Sequence, residues 1–315
     1  MRRTTQLPTS SLWIGLASCL ALLSSSCGSS VQSPEVRASA VSPQVVCGSQ
    51  LSTPVQLSGE GFTPLTLDSL VDGTRLKLPQ ISLSQSLRSD GSTGVKQEVA
   101  LFDGTDPAGR TPVTWQSAQQ MTFTVYPGMV VKDIQTGELG SDIDFGLYSV
   151  TVRNPDQRLS TLENALAVVQ PPSVSQVTPT PSCNAQAANS FTVNGAHFLS
   201  LDGALPSVTF TSLNSLVSPL TVTAGMVSGC TALPAPAGVT LQDCTQLTVS
   251  VDQNALPPDT YQIVVKNPGS AGCSSVPDTQ NPSKSRTVVV PPPTITSSAT
   301  LAVCALGTTN LQLTG

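Results

Sequence analysis

The sequence of 315 residues contains one pattern twice in full and a third time in part. In each copy a proline and an apolar stretch precede a cysteine, and a glycine follows that cysteine at a nearly constant distance. The matched pairs are Cys47 and Gly59, Cys183 and Gly195, and Cys304 and Gly315, with separations of 12, 12 and 11 residues. Self-similarity of this kind is typical of arrays of repeated units. We therefore predict that the chain folds as tandem copies of one unit.

A second motif closes each complete copy and sets its limits. The pattern Tyr-x-Val/Ile-x-Val-x-Asn-Pro occupies residues 148–155 and recurs at residues 261–268. We predict a first unit over residues 34–169, a second over residues 170–290, and the start of a third over residues 291–315. Because the third copy stops within its second strand, one hypothesis is that the chain is the N-terminal fragment of a longer adhesin or enzyme.

Apolar and polar residues alternate inside each unit, as Val55 with Leu57 and Phe191 with Val193 illustrate. This period of two indicates strands with one buried face. The chain also contains 26 Pro and 23 Gly, which disfavour helices and mark turns between short strands. Together these features predict an antiparallel β-sandwich for each unit. Ser160 and Glu163 would fit a helix cap, but the repeat register favours a strand just beyond them.

The repeated motifs resemble those of the immunoglobulin-like IPT/TIG domain family. They include Gly-x-Gly-Phe at residues 59–62, Gly-x-His-Phe at residues 195–198 and the closing motif, and the resemblance covers both units and the fragment. It implies an all-β fold of tandem immunoglobulin-like antiparallel β-sandwiches that act as spacer or protein-binding modules. The spacing of Asp144 and Tyr148 matches a tyrosine corner. Val150 stands where antibody domains have a disulfide cysteine, so packing is expected to hold the two sheets together.

The first residues predict export from the cytoplasm. Arg2 and Arg3 precede an apolar run over residues 12–23, which is too short to cross a bilayer and is typical of a signal peptide. The small residues that lead to Cys27 resemble a bacterial lipoprotein signal. We expect residues 1–27 to form this signal peptide and residues 28–33 to form a flexible tether.

Two cysteines compete for the lipid. Cys27 leaves a polar mature tail, whereas Cys19 fits the lipoprotein box better but would leave an apolar segment on the tail. An ordinary signal peptide that is cut near Ser26 is the remaining alternative. Gly28 follows Cys27 where an inner-membrane signal would have Asp, so the resemblance implies anchoring of the exported chain in the outer membrane, on its periplasmic or its cell-surface side. The lipid bilayer is then one partner, through the N-terminal acyl anchor.

Residues that usually carry catalysis are scarce. The single histidine, His197, lies in the Gly-x-x-Phe turn, and the cysteine spacings do not form zinc knuckles. Asp142 and Asp144 could contribute to a calcium site, but turn structure accounts for them better. We predict no enzyme activity, no cofactor and no metal site. With 10% charged residues and a net charge of −5, the chain is also a poor candidate for nucleic-acid binding.

The function predicted from these features is that of a non-enzymatic cell-envelope lipoprotein whose immunoglobulin-like domains act as spacer or protein-binding modules. The alternative is a surface lipoprotein that binds carbohydrate, for which Trp115 would have to stack on a sugar. Its place just before a strand favours a role as a core or loop anchor. The partner, protein or glycan, is not identified by the sequence.

Six cysteines remain for disulfide bonds once the leader is excluded, and an exported chain is expected to oxidise them. Cys230 and Cys244 belong to the second unit alone and are predicted to pair within it. Cys47 and Cys273 are predicted to pair across the junction, because the lower end of the first unit meets the upper end of the second. The alternative pairs Cys183 with Cys273 inside the second unit and leaves Cys47 free.

Overall fold

A computed structural model of the chain describes residues 34–69, 73–93, 97–101, 113–133, 139–141, 143–214 and 216–294. Within these ranges the backbone forms 23 β-strands and two short 3-10 helices, over Gly269–Ala271 and Pro282–Ser285. Neither helix in the described ranges is long and apolar enough to cross a membrane. The strands form two groups that each build one sandwich.

The first sandwich contains two main sheets, one of four strands in the order β1-β3-β9-β8 and one of seven in the order β11-β10-β7-β6-β12-β13-β2. Strands β4 and β5 form a separate hairpin. The bounds of these strands are β1 Arg37–Ser42, β2 Val45–Cys47, β3 Thr53–Glu60, β4 Leu65–Ser69, β5 Gly73–Lys77, β6 Gln80–Arg88, β7 Gln97–Leu101, β8 Val113–Ser117, β9 Gln120–Val125, β10 Val130–Asp133, β11 Leu139–Ser141, β12 Gly146–Arg153 and β13 Leu159–Val169.

The second sandwich has the same plan. One sheet has the order β14-β16-β21-β19, with β20 also pairing with β21, and the other has the order β15-β23-β22-β17-β18. The bounds are β14 Ser173–Thr178, β15 Ser182–Cys183, β16 Ala188–Leu201, β17 Ser207–Ser212, β18 Leu220–Thr223, β19 Met226–Ser228, β20 Thr231–Ala232, β21 Leu241–Asp252, β22 Asp259–Lys266 and β23 Arg286–Val290.

The opening segment of each sandwich contributes to both of its sheets. In the first sandwich β1 pairs antiparallel with β3, and after a cis bond between Ser42 and Pro43 the chain continues as β2, which pairs parallel with β13. In the second sandwich β14 and β15 repeat this arrangement, with a cis bond between Thr178 and Pro179. Except for these two short parallel pairs, the named strand pairs of the described residues are antiparallel, as the alternation of apolar residues predicted.

The alternating residues meet between the sheets. In β9 the inward side chains are Met121, Phe123 and Val125, and all three are fully buried. In the second sandwich Phe191 on one sheet packs against Phe210 on the other, with ring centroids 5.3 Å apart. Such aromatic pairs favour tilted contacts at this distance. Apolar packing therefore joins the sheets, and Val150 is fully buried at the position where antibody domains have a disulfide cysteine.

Ser160 and Glu163 lie within strand β13, so the segment forms the strand that the repeat register favoured and not a helix. The last five residues of β13 are all buried, but they do not all face the core of the first sandwich. Leu166 and Val168 belong to that core, whereas Ala167 and Val169 pack in a separate apolar cluster with residues of the second sandwich. The run therefore lacks alternation because the strand is covered on both faces. The predicted all-β fold of tandem immunoglobulin-like antiparallel sandwiches is confirmed.

Candidate functional site

The junction between the sandwiches brings together three residues that were singled out from the sequence, which are Cys47, Cys273 and His197. A disulfide joins Cys47, at the end of β2, to Cys273, in the segment between β22 and β23, with Cα atoms 5.5 Å apart. This is the pairing that the repeat register favoured. The alternative pairing of Cys183 with Cys273 does not form, and Cys183 is a free thiol. The two sandwiches are thus covalently linked by a bond besides the main chain.

An apolar cluster lies beside this disulfide. It consists of buried apolar side chains from both sandwiches. The first sandwich contributes Val45, Leu147, Ala167 and Val169, and the second contributes Leu199, Leu241 and Ala271. Removing such surface from water favours the docked arrangement by about 25 cal/mol for each Å² of apolar area. The cluster therefore favours docking of the two sandwiches in addition to the disulfide.

Hydrogen bonds complete the junction on its polar side. The Gln50 side chain donates from Nε2 to the carbonyl oxygen of Ser274 at 2.7 Å, and its Oε1 accepts from the N–H of the same residue at 2.8 Å. The Ser270 hydroxyl donates to the carbonyl oxygen of Val45 at 2.5 Å. Gln50 thus pairs with the backbone of Ser274 as a neighbouring strand would, and it fixes how the two surfaces face each other.

A cleft of about 190 Å³ opens beside the apolar cluster and is lined by both sandwiches. Its polar lining includes Asp90, His197 and Asp243. His197 Nδ1 lies 2.9 Å from Asp243 Oδ2, while Oδ1 of the same carboxylate is buried and has no hydrogen-bond partner among the described residues. Hydrogen bonds from the Ser92 hydroxyl and backbone N–H hold the pKa of Asp90 below its usual value.

His197 also has a structural role that sequence reasoning partly anticipated. It lies not in a turn between strands but in a bulge within β16, where it adopts a φ of 61°. Its carbonyl oxygen accepts a hydrogen bond from Asn267 Nδ2 at 3.0 Å, and Asn267 Oδ1 accepts from the N–H of Leu199 at 3.0 Å. Asn267, which follows β22 in the neighbouring sheet, thus binds the backbone on both sides of the bulge. We call this pair of side-chain hydrogen bonds an asparagine clasp.

The first sandwich contains the same clasp. Asn154 Nδ2 donates to the carbonyl oxygen of Gly61 at 2.7 Å, and Asn154 Oδ1 accepts from the N–H of Thr63 at 3.3 Å. Gly61 also has a positive φ, of 72°. Each clasp joins the closing motif of its unit to the Gly-x-x-Phe motif. The two motifs that mark the repeat in the sequence are thus partners in space.

The glycine that opens each Gly-x-x-Phe motif lies too close to its neighbours for any side chain. A Cβ atom at Gly59 would lie 2.2 Å from the carbonyl oxygen of Arg37, and one at Gly195 would lie 1.9 Å from that of Ser173. In both units the ring of the motif's phenylalanine also approaches this position. Glycine is needed here for close approach of the backbone.

Each sandwich contains a tyrosine corner, and the one at Tyr148 was predicted from the sequence. The Tyr148 hydroxyl donates to the carbonyl oxygen of Asp144 at 2.9 Å, and the Tyr261 hydroxyl donates to that of Pro257 at 2.8 Å. Burial raises the pKa of each phenol above its ordinary value, and a nearby carboxylate, Asp144 or Asp259, raises it further. These tyrosines stabilise the strand entry and are not available to a ligand.

Trp115 lies at the edge of the first core. Its ring is partly buried against that core, and its Nε1 donates to the carbonyl oxygen of Phe62 at 2.8 Å. Both the apolar face and the polar edge of the indole thus have partners within the sandwich, as expected of an anchor for the Gly-x-x-Phe segment.

The other candidate residues are distributed as follows. Cys230 and Cys244 form a disulfide within the second sandwich, in agreement with the prediction. Asp144 is exposed, and Asp142 lies outside the described residues. Across the described part of the chain, no three His, Cys, Asp or Glu side chains lie together as metal ligands. The predicted signal peptide and tether, with Cys19 and Cys27, and the third unit from residue 295 onward also lie outside the described residues.

Comparison with known proteins does not identify a family for the chain. No family model matches the chain, and no curated protein matches it. The resemblance to IPT/TIG domains accordingly stays a prediction. Among solved structures, the crystal structure of murine CEACAM1b is similar to 82% of this chain over 100% of its own length, with 14% sequence identity and a TM-score of 0.22. A likeness at that score supports no statement about function.

Sequence reasoning missed three members of the junction. Gln50 and Ser274 are 224 residues apart. Gln50 recurs as Gln186, three residues after the repeated cysteine, but nothing in the repeat indicates Ser274 as its partner. Asp243 precedes a predicted disulfide cysteine by one position, but nothing local indicates that it faces His197. The two clasp asparagines were visible as repeated letters of the closing motif, although their partners were not.

Proposed function

We propose that this chain is a non-enzymatic cell-envelope lipoprotein whose two immunoglobulin-like sandwiches act as a rigid spacer and binding module. The observation that carries the proposal is the junction. A disulfide, an apolar cluster and the bonds of Gln50 to Ser274 all join the same two surfaces. Only residues 170–172 connect β13 to β14, and two of these three are proline. A short proline-rich connection restricts hinge motion further.

Rigidity is what a spacer requires, because its purpose is to hold one end of the chain at a fixed distance from the other. Domains joined by a flexible linker sample many separations, and their mutual interfaces are usually small and polar. In this chain the centre of the interface is apolar and the bond between Cys47 and Cys273 prevents the surfaces from separating. The two sandwiches are therefore expected to move as one body.

Tumbling in solution tests this part of the proposal. Nitrogen-15 relaxation of the chain from Gly28 onward should give one rotational correlation time for amides of both sandwiches. A variant with Cys47→Ser and Cys273→Ser should begin to show two values, because only the apolar cluster and the hydrogen bonds remain. Two distinct correlation times in the unaltered, oxidised chain would contradict the rigid spacer.

The envelope anchor is the second part of the proposal and is supported by the pattern of the leader and by the disulfides, which are typical of exported proteins. Expression of the full chain in a didermic bacterial host with an alkyne-bearing fatty acid tests it. We expect Cys27→Ser to abolish labelling and to release the chain from the membrane fraction, and Cys19→Ser to leave both unchanged. Labelling that is lost in Cys19→Ser but kept in Cys27→Ser would place the lipid on Cys19. Absence of labelling in the unaltered chain would refute the lipid anchor.

The carbohydrate-binding alternative gains no support from the described residues. It depended on Trp115, whose indole N–H and apolar face are engaged within the first sandwich. Tyr148 and Tyr261 are buried at their corners. We therefore propose the spacer and protein-binding role alone.

A further inference from the structure

The far end of the second sandwich reproduces the surface that the first sandwich uses at the junction. In the first sandwich Cys47 pairs in register with Val169, the last residue of β13. In the second sandwich Cys183 pairs in the same way with Val290, the last residue of β23. Cys183 therefore occupies the position that Cys47 has in the first sandwich. Cys47 is fully buried and bonded, whereas Cys183 is partly exposed and free.

The residues beside these cysteines also correspond in position, although the polar Thr260 stands where the first sandwich has Leu147. Ala167 pairs with Leu147, and at the equivalent positions Val288 pairs with Thr260. Ala167 is 1% exposed because it belongs to the junction cluster, while Val288 is 39% exposed. The second sandwich thus places a larger apolar side chain at a position where burial by a neighbour would be favourable.

Leu213 extends this comparison. Its N–H donates to the carbonyl oxygen of Thr260 at 3.0 Å, so it lies beside β22 much as Leu87 lies opposite Leu147 in the first sandwich. Leu87 packs against the junction cluster, but Leu213 is 43% exposed. We call the surface formed by Cys183, Leu213 and Val288 the distal face.

We propose that the distal face is the docking surface for a following sandwich of the same repeat, and that Cys183 forms a disulfide with the cysteine of that sandwich that corresponds to Cys273. The proposal extends the spacer role and rests on it. It predicts a second junction built like the first, with a buried apolar cluster next to an inter-domain disulfide.

The sequence identifies the occupant as a following sandwich. Residues 170–172 connect the first sandwich to the second, and a connection of the same length, residues 291–293, leads from β23 into the third copy of the repeat. The first connection contains two prolines and the second contains three. The sequence therefore leaves the second sandwich through a proline-rich connection of the same length as the one that follows the first sandwich.

A second copy of this chain is not a suitable occupant. The docking cysteine of the existing junction lies in the long segment between β22 and β23, whereas the equivalent segment of the first sandwich, residues 154–158, contains no cysteine. Cys273 itself is already bonded to Cys47. Cys304 is not a suitable partner either, because the repeat register equates it with Cys47 and Cys183, not with Cys273.

The bond would form by thiol–disulfide exchange. The Cys183 thiolate attacks a disulfide of a small molecule or an oxidoreductase, and one thiol of that reagent leaves. The thiolate of the incoming cysteine then attacks the mixed disulfide, and the second thiol leaves. Two protein thiols thereby lose two electrons and two protons, and the reagent disulfide is reduced to two thiols.

A lengthened chain tests the proposal. A second copy of residues 172–290 replaces residues 293–315, and Cys183 is changed to Ser in that second copy only. We expect a non-reducing peptide map to show Cys183 linked to the Cys273 of the second copy. Cys47 should remain linked to the Cys273 of the first copy. The Cys183 thiol should then no longer react with iodoacetamide. The matched control carries the additional change Cys273→Ser in the second copy. In that control the remaining Cys183, in the first copy, should react fully with iodoacetamide.

Folding of the added copy is read from the same map, because it should contribute a second equivalent of the Cys230–Cys244 bond. A reactive Cys183 in a chain with both of these bonds would overturn the proposal. The 315-residue chain gives an independent measurement that needs no added copy. Cys183 should react there with iodoacetamide, and a Cys183–Cys304 bond would also overturn the proposal.

The proposed function and this inference fail separately. Common tumbling of the first two sandwiches depends on Cys47 and Cys273 and should be unaffected by Cys183→Ser. Two correlation times would refute the rigid spacer, whereas one correlation time with a persistently reactive Cys183 in the lengthened chain would refute only the second junction.

Discussion

Cys47 and Cys273 are bonded across 226 residues of sequence, and each lies at the edge of a different sandwich. Neither residue contributes to the main apolar core of its own sandwich. The bond therefore fixes how the two units are arranged and is not part of either main core. Mutations at the junction should therefore leave each sandwich folded.

Replacing both cysteines, Cys47→Ser with Cys273→Ser, is expected to lower the free energy of unfolding by about 2 to 4 kcal/mol, because a bond that closes a long loop restricts the unfolded chain. Urea denaturation followed by circular dichroism measures the change. The control Cys183→Ser removes a free thiol and should be neutral. Equal stability of the double variant and the unaltered chain would show that the disulfide does not constrain the unfolded chain.

The repeated glycines should tolerate no side chain. In Gly59→Ala or Gly195→Ala the new methyl group would overlap a backbone carbonyl oxygen, and we expect a loss of about 1 to 3 kcal/mol, as for overpacking in a core. Gly225→Ala is the matched control, because its Cβ would meet nothing closer than Thr248 O at 3.9 Å. Thermal and urea midpoints of the three variants measure the difference. A tolerated Gly195→Ala would contradict the close approach.

The strands and cores were the predictable part of this fold. Val55, Leu57, Phe191 and Val193 are buried where their alternation placed them, because burial of one face of a strand depends on a local period of two. The strand at the end of β13 was predicted only through its repeat partner, since its residues are buried on both faces and do not alternate. The cysteine pairs were indicated by position within the repeat.

Contacts between residues that are far apart in the sequence were the unpredictable part. The bonds of Gln50 to Ser274 depend on how two finished sandwiches meet, and neither residue type has a preference that would indicate it. The pairing of His197 with Asp243 depends on a bulge that shifts the register of β16 against β21. Local pattern determines which face of a strand is buried, but docking and bulges determine which polar groups meet.

The buried asparagines should be essential to each sandwich. Asn154→Ala or Asn267→Ala removes two side-chain hydrogen bonds and leaves buried backbone groups without partners, at an expected cost of about 2 to 4 kcal/mol. Thr161→Ala, on the exposed surface of β13, is the control and should change stability by less than about 0.5 kcal/mol. Urea denaturation compares them. A loss at the asparagines no larger than that of the control would refute the clasp.

The tyrosine corners predict a loss of stability at high pH. Both phenols have a folded-state pKa above the ordinary value of 10.0, so the unfolded chain releases these protons first. Their contribution is fully present below pH 10 and decreases as the pH rises from the unfolded pKa toward the folded pKa. Unfolding free energies measured from pH 8 to pH 11 should therefore fall at the upper end.

The double variant Tyr148→Phe with Tyr261→Phe isolates this effect. It should lose about 1 to 3 kcal/mol at pH 8, because two buried hydrogen bonds to backbone carbonyl oxygens disappear. Its stability should fall less steeply above pH 10, since the two phenols that titrate differently in the folded and unfolded states are gone. The third tyrosine, Tyr126, remains in both proteins, so its ionisation cancels in the comparison. Parallel pH profiles for the variant and the unaltered chain would show that the corner phenols do not control alkaline unfolding.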